Sequence, residues 1–227
     1  MYVPRHFAAD DADVQSLLAA TDAADLVTAT ATGLLSTFLP LLHVPDVGTH
    51  DVGRHGVGRH GALQGHVARN NPQWREAPVG GAMVIVRGPD GYVSPSWYAT
   101  KREHGRVVPT WNYVSAHVYG ELVVHDDDVW LADLVRRLTD RHEGTRSEPW
   151  SVDDAPQRFT EGQLRAVVGV ELRISRVEAK LKLSQNRSDA DVDGVVEGRA
   201  ADGQDALAEA VREQAGRGRT PAGGAPA

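Results

Sequence analysis

Residues 110–124 read TWNYVSAHVYGELVV, and their alternation decides the class of fold. Thr110, Asn112, Val114, Ala116, Val118, Gly120, Leu122 and Val124 fall on one side at period two; Trp111, Tyr113, Ser115, His117 and Tyr119 fall on the other. Successive side chains of a strand point to opposite faces, so the pattern is that of a long β-strand with one face against a core. The aromatic second face is free to meet a partner or a flat ligand.

Working outward, 24–31 and 34–44 are predicted as a hairpin turning at Thr32-Gly33, and 62–67 as the next strand. Met83-Val84-Ile85-Val86 is a continuous apolar run, expected to be covered on both faces. Val168, Val170, Leu172 and Ile174 alternate with Gly169, Glu171, Arg173 and Ser175, which predicts a half-buried last strand. Helices are expected from Asp10 or Asp11 through Leu18, over 129–142 behind the acidic run Asp126–Asp128, and around 156–167. Asn70-Asn71-Pro72 starts a helical turn through Trp74. A polar helix is expected over 205–214, and a tail without periodicity, expected to be disordered, over 216–227. The domain organisation so read is a β-rich domain over 1–187, a polar helical extension over 188–215, and the tail.

Composition excludes several functions. With 24 Lys plus Arg against 31 Asp plus Glu the net charge is -7, so there is no overall cationic field for nucleic acid and direct DNA binding is disfavoured. There is no cysteine, which removes disulfides, thiolate metal sites and cysteine nucleophiles together. The opening MYVPRHFAADD has no apolar core of a secretory signal. The uncharged run 26–42 is broken by Gly33 and Pro40 and falls short of the roughly 20 residues of a membrane span. A cytoplasmic protein without membrane attachment is expected.

Residues 56–61, GVGRHG, match the GxGxxG fingerprint of dinucleotide-binding folds. That fingerprint needs a strand before it, a helix after it and an acidic residue about 20 positions on, and none of these is present. His50, His55 and His60 recur every five residues, a spacing that neither a strand nor a helix brings to one side. The stretch 46–61 reads as a duplicated surface loop, and no metal site is expected there.

Trp74, Tyr92, Trp97, Tyr98, Trp111, Tyr113 and Tyr119 crowd into a short part of the chain. They suit either a core or dimer interface, or a wall for a flat conjugated ligand. Asn70, Asn71, Gln73, Asn112, Gln185 and Asn186 are neutral hydrogen-bonding groups, and Lys182 and Arg187 suit a phosphate or propionate.

The segments MYVPRHF (1–7), TFLP (37–40), GHVARNNPQW (65–74), GPDGYVSPSWY (88–98), VPTWNY (108–113), HVYG (117–120) and KLSQNR (182–187) occur in the order and spacing of the PaiB family. The chain resembles these FMN-binding negative transcriptional regulators from Met1 to about Arg187. The resemblance implies an α+β fold, mainly β with helices: a split β-barrel of the pyridoxamine-phosphate-oxidase-like class, forming a homodimer with flavin sites between subunits. It places Thr37 and Leu39 by the isoalloxazine ring, and His66, Arg69 and Asn71 near the phosphate or ring edge. Trp111, Asn112, Lys182, Gln185 and Asn186 would close the pocket. A related branch binds haem b and makes the nitrogen–nitrogen bond of piperazate, with the residue matching His66 as axial ligand. Trp97-Tyr98 and the complete KLSQNR look more like the regulator branch, so FMN is the expected cofactor and haem b the alternative. An FMN oxidoreductase is the other enzymatic alternative; no catalytic residue is identified.

Overall fold

The computed structural model describes residues 1–45 and 60–218. The expectations for His50, His55 and the rest of 46–59, and for the tail from 219, lie outside the described residues.

Six antiparallel strands, β1 (Ala23–Thr30), β2 (Gly33–Val44), β3 (Ala62–Ala68), β4 (Ala82–Val93), β5 (Thr110–His125) and β6 (Val167–Lys182), close into a barrel in the order β1-β2-β3-β6-β5-β4. Strand β4 returns to β1, with Asp25 opposite Ile85 and Val27 opposite Met83. The β1–β2 hairpin pairs Thr30 with Gly33, so its two loop residues are Ala31 and Thr32. Six helices accompany the strands among the described residues: α1 (Asp11–Ala20), α2 (Thr100–His104), α3 (Asp128–Glu143), α4 (Gln157–Leu164), α5 (Asp189–Ala201) and α6 (Asp205–Gly218). None is long and apolar enough to cross a membrane.

The chain divides into two compact units, one of residues 1–10, 87–115 and 179 onward, the other of 11–86 and 116–178. In the second unit, alternation does the work foreseen for it. Leu26, Leu39, Leu41, Leu63, Val67, Ala116, Val118, Val170, Leu172 and Ile174 are buried. The helix α3 begins with the Asp127 carboxylate accepting from Trp130 N at 2.7 Å, and buries Leu131, Leu134 and Leu138.

Four local expectations are corrected. In β4, Ala82, Val84 and Val86 are buried whereas Met83 and Ile85 are only partly so, because just one face of this strand meets the core. In β6 the reverse holds: Gly169 and Glu171 are buried along with their apolar neighbours, and the strand continues to Lys182. The extension expected to be helical over 188–215 holds two helices, α5 as well as α6, where a helix was delimited only over 205–214. The last helix runs to Gly218, past the expected start of the tail at 216.

The first unit has its own core of Val93, Tyr98, Leu183, Val192, Val195, Leu207 and Val211. Helix α5 carries Gly194 and Gly198 where it meets Trp97. A Cβ on the first would stand 2.0 Å from Trp97 O, and one on the second 2.4 Å from its indole ring. The glycines lower helix propensity but allow this close approach.

Candidate functional site

In the unit containing residues 87–115, an exposed aromatic pair stands where β4 and β5 run side by side. Trp111 is 50% exposed and Tyr92 45%; their rings meet edge to face at 6.4 Å. The indole Nε1 of Trp111 donates to Asp90 Oδ1 at 2.7 Å, which fixes the ring plane. Beside Trp111, Asn112 is buried; its Nδ2 donates to Ser184 Oγ at 2.9 Å, and its buried Oδ1 has no donor among the described residues.

The turn 182–187 is held by its own polar groups. Gln185 Oε1 accepts from Leu183 N at 2.8 Å, its Nε2 donates to Leu181 O, and Arg187 N donates to Ser184 O at 3.0 Å. Ser184 has φ 68°, a left-handed conformation that a serine adopts at a cost when the surroundings impose it. The turn presents Lys182, whose Nζ donates to Thr110 Oγ1 at 2.6 Å. Arg187 lies over the Tyr98 ring at 4.5 Å, and Asn186 is exposed. Burial pushes the Lys182 ammonium below its ordinary pKa, and nearby Lys180 and Arg187 push the same way, against Tyr113.

Sequence reasoning missed Lys180. It is 8% exposed, with Nζ 5.3 Å from the Tyr113 ring, 5.8 Å from Tyr2 and 5.9 Å from Phe7. Its Nζ donates to Tyr2 O at 3.3 Å. Among the described residues, no carboxylate pairs with Lys180, Lys182 or Arg187.

Thr37, Leu39, His66, Arg69 and Asn71 belong to the other unit. Asn71 caps the turn Pro72–Trp74, its Oδ1 accepting from Gln73 N at 2.9 Å while its Nδ2 donates to Thr37 Oγ1 at 2.9 Å. Buried Gln73 ties the same turn to the hairpin through Leu26 O at 3.0 Å and Thr28 Oγ1 at 3.2 Å. Leu39 is buried in the barrel core. Arg69 is held in a fork by Asp126, at 3.0 and 2.6 Å, and donates to Arg165 O and Val167 O. Its donors are thus committed within the protein. His66 stands opposite Gly169 in the β3–β6 register. Burial pushes its pKa down, favouring the neutral ring, and among the described residues its buried Nδ1 has no partner.

A second feature invisible in the sequence adjoins Gly169. Glu171 is 3% exposed; it accepts from Gln64 Nε2 at 2.9 Å and pairs with His125 Nε2 at 3.0 Å and Arg173 Nε at 3.4 Å. The His125 ring stacks on Trp130 at 4.0 Å, only 8° from parallel. Trp130 in turn lies on Gly169, where a Cβ would be 2.3 Å from the indole.

Barrel order and accompanying helices define a split β-barrel fold of the α+β class. Over residues 1–176 the chain matches the family described as "Putative FMN-binding domain". It belongs to that family, the PaiB family to which its motifs point. The chain is 31% identical over 199 residues to "Protease synthase and sporulation protein PAI 2" of Bacillus subtilis (strain 168), covering 87% of this chain and 88% of that protein. Among solved structures, the flavocytochrome Anf3 from Azotobacter vinelandii superposes with TM-score 0.52 at 17% identity, covering 79% of this chain and 72% of that one. An FAD and heme binding protein from Mycobacterium smegmatis gives TM-score 0.52 at 19% identity, covering 83% and 78%. These two likenesses are likenesses of fold.

Proposed function

We propose that the chain binds FMN and acts as a negative transcriptional regulator through that ligand or a protein partner, not by direct contact with DNA. The observation that carries the flavin reading is the pairing, within one unit, of the exposed Trp111 and Tyr92 rings with three cations, Lys180, Lys182 and Arg187, with which no carboxylate among the described residues pairs. Aromatic faces suit the isoalloxazine, Asn112, Gln185 and Asn186 are neutral hydrogen-bonding groups for its polar edge, and Lys182 and Arg187 suit the phosphate. When bound, FMN would supply redox chemistry; the chain's own residues hold and orient it. A net charge of -7 argues against direct DNA contact. Lys182→Met is expected to weaken FMN about tenfold or more, the scale of one lost charge-assisted hydrogen bond, and Trp111→Ala to relieve quenching of flavin fluorescence. FMN binding unchanged in both variants would refute the assignment.

Thr37, Leu39, His66, Arg69 and Asn71 are proposed contacts to be tested residue by residue. Haem b is the second reading, favoured by the neutral imidazole of His66. Against it, an iron-ligating histidine ordinarily donates its other ring N–H to an acceptor that orients it, and His66 Nδ1 has none among the described residues. If haem binds, His66→Ala is expected to abolish the Soret band; if FMN binds, the flavin spectrum keeps its shape in that variant.

A homodimer is part of the proposal. On one face of the β1–β2 hairpin, Leu34 is 77% and Phe38 70% exposed, and opposite Leu34, Ser36, Phe38 and Pro40 stand Ala29, Val27, Asp25 and Ala23, a mostly uncharged face with one acid. A sheet face of this kind is suited to a second copy of the chain. Light scattering that gives a 24.5 kDa particle at micromolar concentration would contradict it.

A further inference from the structure

Lys180 and Lys182 leave the same face of β6 two residues apart, about 6.6 Å along the strand. Like charges so placed in a partly dry environment repel, and a folded chain usually relieves this with a carboxylate. Acidic residues outnumber basic ones in the chain, 31 to 24, yet among the described residues none pairs with Lys180 or Lys182: Glu178, two residues before Lys180 on the strand, bonds Tyr119 and Arg176 instead. What surrounds Lys180 stabilises its ammonium without cancelling the charge. Tyr113 and Phe7 offer ring faces and Tyr2 a carbonyl. The segment 1–10 is fastened there by the Ala8–Lys180 bridge and by Ala9 N donating to Ala179 O at 3.3 Å. Arg187 likewise lies over a ring, that of Tyr98, with no acid paired to it among the described residues.

We propose that Lys180 is the third cation of a site for the dianion of a phosphate monoester, formed with Lys182 and Arg187, and that residues 1–10 hold its ammonium in place. The identity of the monoester as FMN rests on the function proposed above; the charge arrangement does not. Lys180 then sets specificity: FMN, with its terminal phosphate, is preferred to riboflavin, which has none.

The test titrates flavin fluorescence with FMN and with riboflavin for the wild type, Lys180→Met and Lys180→Arg. It also measures thermal melting of the ligand-free protein in inorganic phosphate against chloride at equal ionic strength. Lys180→Met is expected to weaken FMN about tenfold and leave riboflavin unchanged, Lys180→Arg to retain FMN, and phosphate to raise the melting temperature of the wild type but not of Lys180→Met. An FMN affinity unchanged by Lys180→Met, or an equal loss for both flavins, overturns the role of Lys180 while leaving FMN binding intact. If neither flavin binds but phosphate stabilises in a Lys180-dependent way, the anion site stands and the flavin reading falls. No flavin binding and no phosphate effect overturn both. Should Lys180→Met fail to fold, Phe7→Leu removes one wall and keeps the charge: a loss selective for FMN supports the proposal, and equal behaviour of the two flavins overturns it.

Discussion

Replacing Glu171 by Gln removes one buried charge and almost no volume. Burial alone would push this carboxyl's pKa up, yet hydrogen bonds from Gln64 and His125, with the positive field of His125 and Arg173, hold it below the ordinary glutamate value. The amide of Glu171→Gln offers one acceptor where the carboxylate offers two, so either Gln64 Nε2 or His125 Nε2 loses its partner. A hydrogen bond to a charged group contributes roughly 1.5–3 kcal/mol, and a loss of about 2 kcal/mol is expected at neutral pH. For a chain of this size that is a melting temperature lower by roughly 4–8 °C. Because the folded-state pKa is depressed, the stabilisation is fully present above the unfolded-state value of about 4.3 and is lost as pH falls through the folded-state value. Denaturant unfolding of wild type and variant should therefore show a gap at neutral pH that closes in acid. A variant as stable as the wild type at neutral pH, or a gap undiminished in acid, would refute the reasoning.

Gly169→Ala places a Cβ 2.3 Å from the Trp130 indole and 3.1 Å from His125 Cβ; the expected cost is about 1–3 kcal/mol, with a shift in tryptophan fluorescence, and an unperturbed emission spectrum would count against the stacking. Truncation after Arg187 removes Val192, Val195, Leu207 and Val211 from the core of Val93, Tyr98 and Leu183, so the shortened chain is expected to lose cooperative melting. A sharp transition near that of the full chain would show that α5 and α6 are dispensable.

The barrel strands were legible because a strand with one buried face writes that fact into every second residue, as residues 110–124 do. The same rule misled at Glu171. It stands on the face opposite Leu172, which alternation assigns to solvent, but Gln64, His125 and Trp130 cover that face and bury it. Helix α5 was not delimited within the helical extension expected over 188–215 because Gly194 and Gly198 dilute its apolar stripe, and these glycines allow the close approach of Trp97. Lys182 was legible as part of a motif. Lys180 was not, since its surroundings come from residues 2, 7 and 113, far apart along the chain. Arg69 was legible as a cation but not as one whose guanidinium is occupied by Asp126.

The measurement that bears most directly on the central claim is a pair of absorbance titrations of the purified protein, one with FMN and one with haem. Saturable FMN binding that weakens about tenfold or more in Lys182→Met and persists in His66→Ala is the expected result. A sharp Soret band that His66→Ala abolishes, with no saturable FMN binding, would contradict it.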